Sequence, residues 1–365
     1  MPSLTVPQIP HYTAPPVTRE KLEYADLAII DLSKAHDASG RAQLAHQVVE
    51  ASKTHGFFYV INHGYTTEQT ERMFDIADVP FSCVEPEEKL AYTASIKETG
   101  SFEGYKPRQF WHVDNEVLDQ VENYSIHRDV TKREHPKALR PLLPEIDAFA
   151  RHTHFNVLHE ILRLLALGLE LPEEALVKLH GFSSEGAAYV RFMKYFPRSA
   201  DDELKTNNVW LKGHTDMGTL TVLYSQPISA LQILSKDGKW RWIKHIENAL
   251  VINTGDTMEF LSGGYYKATI HRVIQPPIDQ QNHTRLGLFY FAMTDADVKL
   301  VPFAESPVLM RVGVVRRFDD KDAPTMDQWG RARTSAYGTT VLKAASPERK
   351  VEEEIVAGVV VKHFN

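Results

Sequence analysis

Residues 212–220 read KGHTDMGTL. His214 and Asp216 stand two apart, bracketed by Gly213 and Gly218 and followed by the strand-like run TLTVLY. On a β-strand the side chains of residues i and i+2 project from one face, so both can reach a single point. A polar strand end closing into a turn looks the same. The two readings separate only on whether the chain supplies a third ligand.

The second half of the chain offers His245, His271 and His283. His245 and His283 sit beside charged or turn residues, whereas His271 lies inside the strand-like ATIHRVI. Two histidines and one carboxylate on one face of a metal is the arrangement of non-haem Fe(II) oxygenases. It leaves three coordination positions for a co-substrate and O₂. The only cysteine is Cys83, which removes a thiolate cluster from consideration. Fourteen residues after His271 comes Arg285, in NHTRLGLFYF. A guanidinium in an apolar strand is costly without an anionic partner and is well shaped to clamp a carboxylate. A structural ion pair with Asp295 is the plainer alternative.

Composition narrows the function class. The 365 residues are 43% hydrophobic and 24% charged with a net charge of −7, ordinary for a globular chain. No basic face is in view, which argues against nucleic acid as a partner. The start, MPSLTVPQIPHYTAPP, lacks the apolar core of a signal peptide. The apolar stretch ILRLLALGLEL is interrupted by Arg163 and is too short for a bilayer. The expectation is a cytoplasmic protein that binds a small molecule and no membrane, with monomer and homodimer both open.

Three portions of one compact unit follow from the patterning. Residues 1–180 read as a mixed α/β portion. An extended proline-rich arm leads to a strand at LAIIDLS, a helix closing on Gly56, a second strand at FFYVINHG, and a helix with a Thr66/Gln69 capping box. A long amphipathic helix then runs from Pro144 to near Gly168, with Ile146, Phe149, Leu158, Ile161, Leu162 and Leu165 on one face. Residues 181–310 hold short strand-like runs separated by Gly, Pro, Asn and Asp, the pattern of an antiparallel sandwich or barrel. Residues 311–365 form a charged, partly helical extension, read as either a lid or a cap. His112, His152, His154 and His159 read as surface or helix histidines.

Taken in order, these words resemble the isopenicillin N synthase-like group of Fe(II)- and 2-oxoglutarate-dependent oxygenases. His-Thr-Asp is followed by His-Arg-Val, with His271 55 residues after Asp216, and then by Arg285-Leu286. GDTMEFLSGGYYKATIHRV, LAIIDLS…THGFFYVINHG and GYKP with DQVENYSI are similar to the family's patterns, over about residues 27–305. The resemblance implies a mainly β fold, a double-stranded β-helix (jelly-roll) core with supporting helices. It implies iron ligands His214, Asp216 and His271, with Arg285 on the far carboxylate of 2-oxoglutarate. The implied chemistry is decarboxylation of 2-oxoglutarate to succinate and CO₂, coupled through O₂ to hydroxylation, desaturation or cyclisation of a substrate.

This chain departs from the family pattern in two places. Gly287 replaces the serine that usually follows the arginine. Lys194-Tyr195-Phe196-Pro197 stands where the family has Asn-x-Tyr-Pro, so on that alignment Phe196 has no hydroxyl to offer the co-substrate and Lys194 puts a charge there. Alternation from Lys194 turns Val190, Phe192 and Phe196 inward. Met217, Phe291, Tyr105, Phe102 and Tyr124 complete the candidate substrate contacts, each with ordinary core packing as its alternative. The substrate class expected is a small, largely apolar or heterocyclic metabolite of specialised metabolism. Three rival readings are an iron oxidase using O₂ without 2-oxoglutarate, a zinc hydrolase, and a non-catalytic jelly-roll binder.

Overall fold

A computed structural model describes residues 7–336, 343–344 and 351–364. The strands preceding residue 200 are β1 (Ile29–Asp31), β2 (Phe57–Ile61), β3 (Gly104–Lys106), β4 (His112–Asp114), β5 (Val117–Leu118), β6 (Val121–His127) and β7 (Tyr189–Tyr195). Then come β8 (Val209–His214), β9 (Leu220–Tyr224), β10 (Leu231–Leu234), β11 (Trp240–Trp242), β12 (Leu250–Thr254), β13 (His271–Ile274) and β14 (Arg285–Ala292). Near the chain end lie β15 (Lys343–Ala344), β16 (Val351–Val356) and β17 (Val359–Phe364).

Two sheets face one another. The larger runs β1-β2-β12-β9-β14-β7-β6-β3 and the smaller β11-β10-β13-β8-β17-β16-β15. Side chains from both inner faces meet in one apolar layer: Met193, Tyr195, Leu223 and Phe289 from the first sheet, Trp210, Leu231, Ile233 and Val273 from the second. This is the expected double-stranded β-helix, a closed solution to burying the inner faces of two antiparallel sheets. The outer face of the larger sheet is covered by helices, among them Thr67–Ser82, which packs on β7 and β14.

The expected N-terminal elements are present. The helix Ala38–Thr54 ends before Gly56, whose φ of 62° suits a residue without Cβ. The Thr66/Gln69 capping box is formed in both directions, at 2.9 and 3.3 Å. The long helix is continuous from Leu143 to Gly168 but carries a π-helical stretch at Thr153–Leu158. The extension beyond residue 310 contains the helix Met326–Ala336. Its last stretch then adds a hairpin instead of more helix. Buried and exposed residues alternate along β17, and Ala357 and Gly358 turn the chain with positive φ. β17 joins the smaller sheet beside β8, with Phe364 opposite Gly213.

Candidate active site

His214 and His271 are direct cross-strand partners on β8 and β13, with ring centroids 4.6 Å apart. Strand β8 ends at His214, so Asp216 is not on the strand with it as the i, i+2 argument supposes. It sits in the turn that follows and is swung back toward both imidazoles. Its Oδ1 lies 3.7 Å from Nε2 of His214 and 3.7 Å from Nε2 of His271. One candidate ligand atom from each residue falls within 4.8 Å of the other two, and among the described residues no other such group of three forms.

The outer contacts aim these atoms. His214 Nδ1 lies 2.8 Å from Lys212 O and His271 Nδ1 lies 3.1 Å from Thr269 O. A carbonyl only accepts, so each Nδ1 carries the proton and each Nε2 presents a lone pair. Asp216 Oδ2 accepts from the Thr221 hydroxyl at 2.6 Å and from Asn253 Nδ2 at 2.9 Å, leaving Oδ1 on the inner side. Burial pushes His271 down to about 4, although Asp216 opposes the shift, so the ring is neutral near neutral pH. Burial alone would raise the Asp216 carboxyl. His271, His214 and Thr221 more than offset it and hold the group well below the usual carboxylate range. Two imidazoles whose Nε2 atoms turn inward and one carboxylate, with a fixed outer shell, form a donor set that fits Fe(II).

A cavity opens over these three residues, bounded by Arg285 and Tyr195 and by Arg191, Tyr189, Phe291, Phe102, Met217 and Arg333. Arg285 is 1% exposed, and its Nε and Nη1 have no hydrogen-bond partner among the described residues. Its alternative partner is taken, because Asp295 is bonded to the Gly181 amide and the Ser184 hydroxyl. Buried guanidinium donors left unmade cost free energy unless an anion arrives to meet them. The cavity therefore has a place for a carboxylate.

The pleat of β7 reverses several expectations. Arg285 pairs directly with Tyr195, so the residues sharing its face are Tyr189, Arg191, Met193 and Tyr195. Val190 and Phe192 point the other way, fully buried in the core against the helices. Lys194 is on that side too, 2.6 Å from Asp78 of helix Thr67–Ser82. The Phe196 ring lies under Arg108 rather than beside Arg285. Position 196 has no hydroxyl, but the preceding residue, Tyr195, lies on the cavity face with its ring 5.1 Å from the Arg285 guanidinium. Tyr105 and Tyr124 pack against each other at 4.4 Å with tilted rings in the core beneath the helices and bond Pro80 O and His135. They do not reach the cavity. Phe102, Met217 and Phe291 do. Gly287 faces inward, and the Phe289 ring occupies its side-chain space, 2.5 Å from where a Cβ would stand.

Two residues missed from sequence stand out. Asn253 gave no signal beyond its place in a strand. Arg191 was visible as a charge in the middle of an apolar strand, and only the wrong parity hid it. It is 6% exposed, its guanidinium lies 4.5–5.0 Å from the Phe102, Tyr189 and Phe291 rings, and its Nη2 has no hydrogen-bond partner among the described residues. Of the remaining histidines, His245 bonds Ser225 and His112 is exposed. His154, expected at the surface or on a helix, is helical and buried.

A jelly roll with a His-Asp-His cluster at one end, and in the same cavity a buried arginine with no carboxylate partner among the described residues, defines a class of non-haem iron oxygenase. The sequence comparisons give the family. Residues 27–145 match the model described as non-haem dioxygenase in morphine synthesis N-terminal, and residues 188–293 match the 2OG-Fe(II) oxygenase superfamily. The chain belongs to that superfamily: it is a 2-oxoglutarate-dependent dioxygenase, an oxidoreductase that uses Fe(II) and 2-oxoglutarate. It is 32% identical to scopoletin 8-hydroxylase of Arabidopsis thaliana over 291 residues, 79% of this chain and 75% of that one. It is 25% identical to naringenin,2-oxoglutarate 3-dioxygenase of Petunia hybrida over 338 residues, 91% of this chain and 85% of that one. The fold is that of a full-length Neurospora crassa protein solved in complex with alpha-KG. The TM-score is 0.74 at 21% identity, covering 87% of this chain and 100% of that one. Among the described residues no helix is long and apolar enough to cross a membrane.

Proposed function

We propose that the chain oxidises a small, planar aromatic molecule carrying an anionic or hydrogen-bond-accepting group, most simply by hydroxylation. His214, Asp216 and His271 hold the iron in this reading, and Arg285 with Tyr195 holds the far carboxylate of 2-oxoglutarate. The iron and 2-oxoglutarate together supply the oxidising chemistry. The chain's own residues do the placing.

The observation that carries the reading is the pair of buried arginines on one face. Arg285 pairs with Tyr195 and Arg191 pairs with Phe289, four residues further along the same two strands. At about 3.3 Å per residue that separates them by roughly 13 Å, enough for two ligands side by side. Each keeps donors that no described residue meets. The Arg285 end carries its guanidinium beside Tyr195; the Arg191 end is framed by Phe102, Tyr189 and Phe291, with Tyr189 and Phe291 stacked at 5.0 Å. Rings around a cation suit a flat substrate that presents an acceptor to Nη2. The names of the two curated relatives, which refer to scopoletin and naringenin, agree with an aromatic class.

The test is succinate formation with Fe(II), 2-oxoglutarate and a panel of phenols, aromatic acids and heterocycles. A member of the panel should accelerate succinate release, and Arg191→Met should lose that acceleration at least tenfold. The visible band of the Fe(II)–2-oxoglutarate complex should persist in the variant. Acceleration by non-aromatic compounds alone, or an Arg191→Met variant with full coupling, would sink the proposed substrate class.

A further inference from the structure

Five consecutive carbonyls, Thr215 to Thr219, line the turn that carries Asp216, and each has a donor. The Asp256 amide donates to Asp216 O at 2.7 Å and the Thr257 hydroxyl to Met217 O at 2.8 Å. The Thr257 amide donates to Gly218 O and the Gly255 amide to Thr219 O, both at 3.1 Å. These four donors come from residues 255–257, just past β12 where the helix Asp256–Leu261 begins, inside the segment matched to the oxygenase superfamily. The fifth comes from elsewhere. Arg333 Nη2 donates to Thr215 O at 2.8 Å, and Thr215 is the residue between His214 and Asp216.

Arg333 belongs to the helix Met326–Ala336, beyond the matched segment, which ends at residue 293. It is 5% exposed. Its Nε lies 3.5 Å from Oδ2 of Asp256, the residue whose amide holds Asp216 O. The helix is firmly seated. Trp329 is fully buried against the edges of the Phe260 and Phe318 rings, and the Met326 sulfur meets the Thr257 hydroxyl. The neighbouring Thr334 hydroxyl lies 3.7 Å from the Met217 sulfur. A buried guanidinium is costly unless it is compensated; here Nη2 bonds the Thr215 carbonyl, and the Asp256 carboxylate stands 3.5 Å from Nε as a charge partner without a hydrogen bond.

We infer that Arg333 is a positioning residue for the iron site, fixing the His214–Asp216 turn from outside the oxygenase core. Docking of the C-terminal helix is then part of forming the metal centre. This rests on the reading of His214, Asp216 and His271 as iron ligands.

The full chain is titrated anaerobically with Fe(II) alone, then with 2-oxoglutarate while the visible band is followed. Arg333→Met should bind Fe(II) about tenfold more weakly, the range typical when an outer partner of a metal ligand is removed, and its band should weaken or shift. Arg333→Lys should recover part of the affinity. Arg331→Gln, an exposed change on the same helix, should behave as the unaltered protein. Unchanged Fe(II) affinity in Arg333→Met overturns the inference. If that variant does not fold, unchanged affinity in Arg333→Lys overturns it instead. An unaltered protein that binds no Fe(II) removes the ligand reading and this inference together. Fe(II) binding without a band on adding 2-oxoglutarate removes only the co-substrate assignment, and the Fe(II) titration still decides.

Discussion

The Thr221 hydroxyl donates a 2.6 Å hydrogen bond to Oδ2 of Asp216, so one carboxylate oxygen is held back while the other faces the two imidazoles. Thr221 lies on β9 and Asp216 in the turn before it, five residues earlier. The aim of the ligand is therefore set locally. Thr221→Val keeps the shape and removes the donor. Its Fe(II) affinity should fall about tenfold in an anaerobic titration, and an affinity equal to that of the unaltered protein would deny Thr221 this role.

Arg285 is the next test. Removing the guanidinium in Arg285→Gln takes away charge-assisted bonds worth about 2 kcal/mol, so the dissociation constant for 2-oxoglutarate should rise roughly thirtyfold. Fe(II) binding should be unaffected, because none of the ligand atoms depends on Arg285. Titration of the visible band measures the first quantity and Fe(II) alone the second. Equal 2-oxoglutarate affinity in the variant would place the carboxylate elsewhere.

Gly287 and Phe289 make a coupled pair. A side chain at residue 287 would strike the Phe289 ring, which is itself stacked on Phe291 at 5.5 Å. Gly287→Ser should therefore destabilise the chain by about 1–3 kcal/mol, the usual cost of overpacking. Combined with Phe289→Ala, it should cost less than the sum of the two single losses, and thermal melts of the two single variants and the double variant measure the coupling. Strictly additive losses would show that the ring does not occupy the serine's place.

Two buried histidines predict the pH dependence of stability. His154 Nε2 donates to His180 O, so its Nδ1 accepts from the Tyr290 hydroxyl; His180 Nδ1 donates to Leu176 O, so its Nε2 accepts from Thr219. Both rings are neutral, and burial pulls them down to about 3 and about 4 respectively. Unfolded, each titrates near about 6.5. As pH falls below that value the unfolded chain takes up protons that the folded one refuses, so stability present above it is lost. By about pH 5 the loss is on the order of 2 kcal/mol per histidine. Urea unfolding at neutral pH and at about pH 5 measures it, and equal stabilities would contradict the neutral assignment.

Much of the fold was legible because its signals are local. Short β-branched runs between turn residues marked β7, β9, β10, β12, β13 and β14, and a helix stop at Gly56 and a capping box at Thr66 marked the N-terminal helices. The terminal hairpin was not legible. Its glutamates and valines read as charged and helical, and its pairing with β8 is a long-range contact. The π-helical stretch left no mark in the spacing of Ile146, Phe149 and Leu158.

The site divides in the same way. The sequence by itself determined which residue types were present and in what order: His214, Asp216, His271 and Arg285, the words that identify the family. What only the tertiary structure decided was facing. Side chains alternate along a strand, so an error of one residue in parity moves every contact to the other side of the sheet. The pairing of Arg285 with Tyr195 settles that parity. It puts Tyr195 and Arg191 in the cavity and sends Lys194, Phe192 and Val190 to the helices. Arg333, distant in sequence from the ligand turn it holds, reaches Thr215 only because the chain folds back on itself, and no local pattern encodes that.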